Sequence, residues 1–206
     1  MRRSREDALE TRTQLLESAL EIMSDKSYSA VSMTEIARNV GLSKGAAYWH
    51  FANKECLLVA LLEHIHAQFD DAFNADWSSL ETFDDLRAYY ERKLLHVTGG
   101  ERSMKIQRLM LRREEWPLRV REKAFSMLVK AKELERKAIE KMLISSMEKG
   151  LIKSDMEPRE LSMLISGVFL GIFMLMVKQV YEDDLHDRHI GFIIEAIKKE
   201  LQITGA

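Results

Sequence analysis

Apolar residues recur at helical spacing from early in the chain. Leu9, Leu15, Leu16, Ala19, Leu20, Ile22 and Met23 predict a first helix over 6–24, broken by Asp25-Lys-Ser-Tyr-Ser29. A short second helix should open at Ser32 or Thr34, with Glu35 at capping-box distance from Ser32, and stop at Gly41. Ser43 can cap a third helix through His50, and Asn53 a long fourth one. Leu57, Leu61, Ile65, Phe69 and Phe73 recur every four residues on that fourth helix. Further helices are expected near 82–98, 101–115, 118–149, 158–181 and 186–202, divided by Gly99-Gly100, Trp116-Pro117, Gly150 and Glu157-Pro158. The pattern predicts an all-α chain of about nine helices. A small three-helix domain over 1–55 is expected ahead of a larger helical domain over 56–206, with the fourth helix running from one into the other.

Composition agrees with that reading. Only 2 Pro and 9 Gly occur in 206 residues, which leaves little punctuation for hairpins. Hydrophobic residues at 46% and charged residues at 31% describe a folded chain. The first dozen residues are partly basic but lack an apolar run, so no signal peptide is expected. A lone cysteine, Cys56, fits a reducing cytoplasm.

The net charge of −2 argues against a nucleic-acid partner until its distribution is considered. Arg2, Arg3, Arg5, Arg38, Lys44 and Lys54 face only Glu35 across residues 1–5 and 32–54. Residues 6–26, between these stretches, are acidic. Positive charge thus gathers where a DNA-reading element would need it.

The stretch SMTEIARNVGLSKGAAYWHFANKECLL, 32–58, is the specific one. Ile36, Val40 and Leu42 can hold two short helices at a steep angle, Ala37 is small at their crossing, and Gly41 makes the turn. The exposed face of the second helix would carry Lys44, Gly45, Ala46, Tyr48, Trp49 and His50, where small residues permit approach to the major-groove floor. Tyr48, Trp49, His50 and Phe51 cannot all share one side of a helix. Phe51 and part of Tyr48 are expected inward, Trp49 and His50 outward.

These residues resemble the TetR family of bacterial transcriptional regulators. The likeness rests on Thr34-Glu-Ile-Ala37, Gly41-Leu-Ser43, Gly45, Tyr48-Trp-His-Phe51, Asn53-Lys-Glu55 and Leu57-Leu58, and covers about residues 10–62 without a gap. A looser likeness to the family's efflux-pump repressors runs through Glu101-Arg102 and Arg108-Leu-Met-Leu-Arg-Arg-Glu114. The resemblance implies that Thr34 and Lys54 contact phosphates and that Ser43, Lys44, Gly45, Ala46, Tyr48, Trp49 and His50 form the recognition surface. It further implies a homodimer on a near-palindromic double-stranded operator, released by a small-molecule effector.

The effector half is read from weaker features. Met104, Gln107, Met110, Leu111, Glu114, Trp116, Phe125, Phe169 and Phe173 are candidates for lining an apolar pocket with a few polar fixtures. Residues 161–177 carry no charge, short of a membrane span, so the helix should be buried on more than one face. Leu164, Gly167, Val168 and Gly171, with Ile190, Ile194 and Ile197 of the last helix, are the expected dimer interface. Acidic 63–91 and basic 101–141 read first as solvated faces, and otherwise as helices that pair across the domain or bias which effectors enter.

Enzyme chemistry finds little purchase. His64 and His66 point apart on one helix, and His186 and His189 near Asp183, Asp184 and Asp187 read as a solvated helix start. There is no phosphate-cradling glycine loop, nucleophile elbow or zinc-type cysteine spacing. No cofactor, metal or membrane association is expected. The competing reading is a helical ligand carrier or enzyme with an incidental helix-turn-helix.

Overall fold

The computed structural model describes residues 5–73, 80–177 and 186–200. All regular structure among them is helical: α1 (Arg5–Asp25), α2 (Met33–Asn39), α3 (Lys44–His50), α4 (Lys54–Phe73), α5 (Phe83–Thr98), α6 (Gly100–Leu111), α7 (Leu118–Glu148), α8 (Pro158–Val177) and α9 (His186–Glu200). The expected 101–115 helix stops at Leu111 and is followed by a short 3-10 turn, Arg113–Glu115, ahead of Pro117.

The expected caps explain the early boundaries. Ser32 accepts from the Glu35 amide and Ser43 from the Ala46 amide. The Asn53 side chain accepts from the Cys56 amide at 2.8 Å, satisfying a donor that the first turn of α4 leaves open. Gly41 takes a φ of 68°, and the Leu42 amide reaches back to the Ala37 carbonyl at 2.8 Å.

Described residues up to Phe69, together with Gly100–Met127, form one compact unit. Its core joins Leu15, Leu16, Leu20, Ile36, Leu57 and Leu61 to Ile106, Leu109, Trp116 and Val120. The Ser18 hydroxyl donates to the Ile36 carbonyl at 2.9 Å, tying α1 to α2 where both are buried. Described residues within Asp70–Gly99 and from Leu128 onward form the second unit. Its core is built from Leu86, Tyr89, Tyr90, Ile139, Met142, Leu143, Ile165, Phe169 and Ile194. Here α5, α8 and α9 pack with the later part of α7.

Within the first unit, α6 lies along α1 through an ordered seam of charges. Arg102, Lys105 and Arg108 recur at three-residue spacing and meet Glu17, Glu21 and Asp25, four apart on α1. The basic stretch from 101 therefore finds its partners in the acidic first helix, and Lys123 of α7 meets Glu63 of α4 at 3.2 Å. In the second unit, Lys198 reaches Asp84 at 2.7 Å. The stretches 63–91 and 101–141 are open in sequence to being solvated or paired, and among the described residues most of these bridges lie elsewhere. Of these contacts, only Lys123–Glu63 joins those two stretches.

Candidate nucleic-acid interface

A seven-residue helix is too short to be stable alone, so α3 depends on what it buries. Ala47 is fully buried and Phe51, just past the helix end, is 4% exposed. The Arg12 guanidinium sits 5.2 Å from the Phe51 ring centre. These anchors rotate the opposite face outward. Lys44, Gly45 and Tyr48 are exposed, and Trp49 is 74% exposed. Ala46 and His50 are half-buried at its edges. Phe51 lies inward and Trp49 outward as expected, whereas Tyr48 lies more outward and His50 less outward than the sequence predicts.

The exposed rings are ordered against their neighbours. Lys44 Nζ lies 5.6 Å from the Tyr48 ring, and the Trp49 and His50 rings meet edge-on at 4.5 Å. Thr34 occupies the first turn of α2 and is half-buried. At Gly45 an added Cβ would meet only the Ser43 hydroxyl, at 3.8 Å, an ordinary contact. Packing within the chain therefore does not require glycine there.

Lys54 has a different setting from the one its sequence position suggests. Its ammonium donates to the Tyr28 and Val31 carbonyls, each at 2.6 Å, and lies 4.3 Å from the Tyr28 ring. Burial holds its pKa below the ordinary lysine value. The same crowding, with Glu55 nearby, raises the Tyr28 phenol to about 12. Lys54 thus fastens the α1–α2 connection to the start of α4. An ammonium has three protons, and two are used in this way.

Glu17 is the centre of the α1–α6 seam. Arg102 donates to both its carboxylate oxygens, at 2.8 and 3.2 Å, and His64 Nε2 lies 3.2 Å from one of them. Burial pushes the Glu17 pKa up, but Arg102 and then His64 outweigh it, leaving it below 4.5. A carboxylate depressed in the folded state contributes stability above its unfolded value, lost as pH falls through the folded one. Glu17→Gln should therefore shrink the drop in urea midpoint between neutral pH and the region below 4.5. An identical drop in parent and variant would remove Glu17 from the acid response.

The effector candidates divide between the two units. Met104, Gln107, Met110, Leu111, Glu114, Trp116 and Phe125 belong to the first unit and Phe169 to the second. Trp116 fills the first core and Met110 packs against it, whereas Met104, Leu111, Glu114 and Phe125 are exposed. Gln107 is half-buried. An open groove of about 610 Å³ between α1 and α6 is lined by none of them, but by Glu10, Glu17, Glu21, Glu101, Arg102 and Lys105 among others. The Phe173 side chain lies outside the described residues.

The expected interface divides in the same way. Leu164, Gly167, Val168 and Gly171 are exposed along α8, together with Met163 and Leu175. An added Cβ at Gly167 or Gly171 would touch nothing within 4 Å. Ile194 is a correction: it is fully buried in the second unit's own core, and Ile197 packs against that core. The rotation of α9 turns Phe192 outward instead. The Ile190 side chain lies outside the described residues.

Residues 15–61 match the family model for bacterial regulatory proteins, tetR family. Over these residues the chain is similar to the TetR family. The HTH-type transcriptional regulator TtgR of Pseudomonas putida is 37% identical over 81 residues, spanning 39% of each chain. The likeness of fold extends over most of the chain. NalD, the secondary repressor of the MexAB-OprM multidrug efflux pump in Pseudomonas aeruginosa, aligns at a TM-score of 0.70 and 23% identity over 93% of this chain and 97% of that one. AibR, solved with isovaleryl coenzyme A and operator DNA, aligns at 0.65 and 22%, over 93% and 97%. Among the described residues, no helix is long and apolar enough to cross a membrane.

Proposed function

We propose that this protein is a cytoplasmic, homodimeric transcriptional regulator, a repressor released from near-palindromic operator DNA by a small-molecule effector. The observation that carries the reading is α3 itself, anchored by Ala47 and Phe51 so that Lys44, Gly45, Tyr48 and Trp49 face solvent. Such a surface suits a major groove, with Gly45 and Ala46 permitting close backbone approach. Lys44 and Trp49 reach toward bases or phosphates from it. Thr34, Ser43, Tyr48 and His50 supply phosphate donors around it, as does the remaining proton of Lys54.

Residues 1–55 form the DNA-binding part in this reading, and 56–206 the effector-binding and dimerisation part. The α8 face, with glycines that the chain itself does not need, suits a second copy of α8. Effector and operator then compete through linkage, each lowering affinity for the other. AibR, solved with isovaleryl coenzyme A and operator DNA, supports the narrower point that a chain of this fold takes both kinds of ligand. The protein acts by binding, without catalysis.

The test is selection of genomic fragments by the purified full chain, followed by footprinting. A protected site with two similar halves, about 34 Å between centres, is expected. Retention of every fragment alike, with no footprint, would dismiss the reading.

A further inference from the structure

The second unit encloses a charge imbalance. Glu135, 2% exposed, accepts from the Tyr90 hydroxyl at 2.7 Å, from Lys93 at 3.0 Å and from Lys132 at 2.8 and 3.0 Å. One carboxylate thus faces two ammonium groups. Lys93 also lies over the Tyr89 and Tyr90 rings. The Phe169 ring stacks on Tyr90, with centroids 3.5 Å apart. Burial holds the Lys132 pKa below its ordinary value, with Lys93 repelling it, although Glu135 pulls the other way. A single lysine would neutralise Glu135, and the second adds a largely desolvated positive charge.

An independent observation lies on α8. The Ser166 hydroxyl, on a residue 8% exposed, neighbours the Tyr90 phenol but completes no hydrogen bond of ordinary geometry with the described residues. Buried hydroxyls are rarely left so without a reason. The cluster is also open at one edge, since both lysine side chains keep 22% of their surface exposed. Leu128 and Val129, four and three residues before Lys132, are exposed on the same face of α7.

We infer that this cluster is the recognition point for the effector, and that the effector is an organic monocarboxylate. Its carboxylate completes the charge balance at Lys132 and Lys93, and Ser166 supplies a neutral donor. Its apolar body lies along Leu128 and Val129. An inorganic anion would satisfy the charge but leave that apolar face uncovered. A cationic ligand would meet two ammonium groups. The inference rests on the proposed ligand response, of which it names the chemical class.

The test uses the full chain and three probe series on the same skeletons: carboxylates from butyrate to decanoate with benzoate, the corresponding amides, and the corresponding amines. Carboxylates should raise the melting temperature and bind by calorimetry, whereas amides and amines should not. Lys132→Met should weaken carboxylate binding at least about tenfold, the scale of a charge-assisted hydrogen bond. Without ligand it should melt no lower than the parent, because Lys93 still neutralises Glu135. Lys132→Gln repeats the measurement if the methionine variant fails to fold.

Binding of amines in place of carboxylates would overturn the inference. So would the absence of any carboxylate binding, affinity indifferent to Lys132, or a large loss of melting temperature in both ligand-free variants. Parallel operator titration separates the two proposals. Operator binding without carboxylate binding removes this site alone. Carboxylate binding through Lys132 without operator release keeps the anion site and removes its role as effector site.

Discussion

Gly45→Leu is expected to abolish specific operator binding while leaving the protein at least as stable as its parent. The first half follows from the proposed groove contact, and the second from the free chain. An added Cβ at Gly45 meets only the Ser43 hydroxyl, at 3.8 Å, and Gly45 is exposed in the second position of α3. Replacing glycine in a helix with a residue that fits should stabilise it by about 0.5–1 kcal/mol. Nothing within the chain opposes the change. A leucine side chain instead occupies space that the groove floor would need, and every base contact of α3 is displaced with it.

Losing one good base contact costs about 1–3 kcal/mol, so an affinity loss well beyond about tenfold is expected, with Gly45→Ala intermediate. Competition titrations against non-specific DNA measure the effect, alongside melting curves. Unchanged specific affinity in Gly45→Leu would mean that this face of α3 does not meet the groove. Lower melting would instead make Gly45 a requirement of the fold.

That experiment addresses the part of the molecule that was most legible in sequence. Ser32, Ser43, Asn53 and Gly41 act locally, each through a side chain or backbone angle within a few residues, and all four do what their types dictate. The α1–α6 seam was not legible in this way. Arg102, Lys105 and Arg108 could have faced water or any acidic helix, and only tertiary packing selects Glu17, Glu21 and Asp25. Ile194 illustrates the same limit. Isoleucines at 190, 193, 194 and 197 cover a broad stripe, and pattern alone does not say which edge meets the chain's own core. Trp116, one of the candidates for lining a pocket, packs in the core of the first unit, and a large apolar side chain reads the same way in sequence for either place.

The buried carboxylate had a readable signature that charge counting concealed. Lys-Ala-Lys-Glu-Leu-Glu-Arg-Lys, 130–137, resembles a solvated helix face when only charge is tallied. Glu135, however, falls in register with Ala138, Ile139, Met142, Leu143 and Ser146, all buried. On α5, Lys93 likewise continues the stripe of Leu86, Tyr89 and Tyr90. A charged residue on the apolar stripe of each of two helices, with opposite signs, is a pairing signal.

Glu135→Ala should consequently be among the most damaging single substitutions in the second unit. It removes the acceptor for the Tyr90 hydroxyl and leaves Lys93 and Lys132 repelling each other beside packed aromatic rings. Stripping one partner from a buried ion pair costs about 3–5 kcal/mol, and the residual exposure of both lysines favours the lower end. Lys93→Met with Lys132→Met should be comparably harmful, because the carboxylate is then the stranded charge. Converting all three positions to methionine should recover most of the loss, since an apolar replacement of a buried ionic cluster is often neutral. Urea unfolding of the three variants measures this directly. A loss below about 1 kcal/mol in Glu135→Ala, the range of an exposed pair, would show that water already solvates the carboxylate. The buried charge imbalance would then lose its energetic basis.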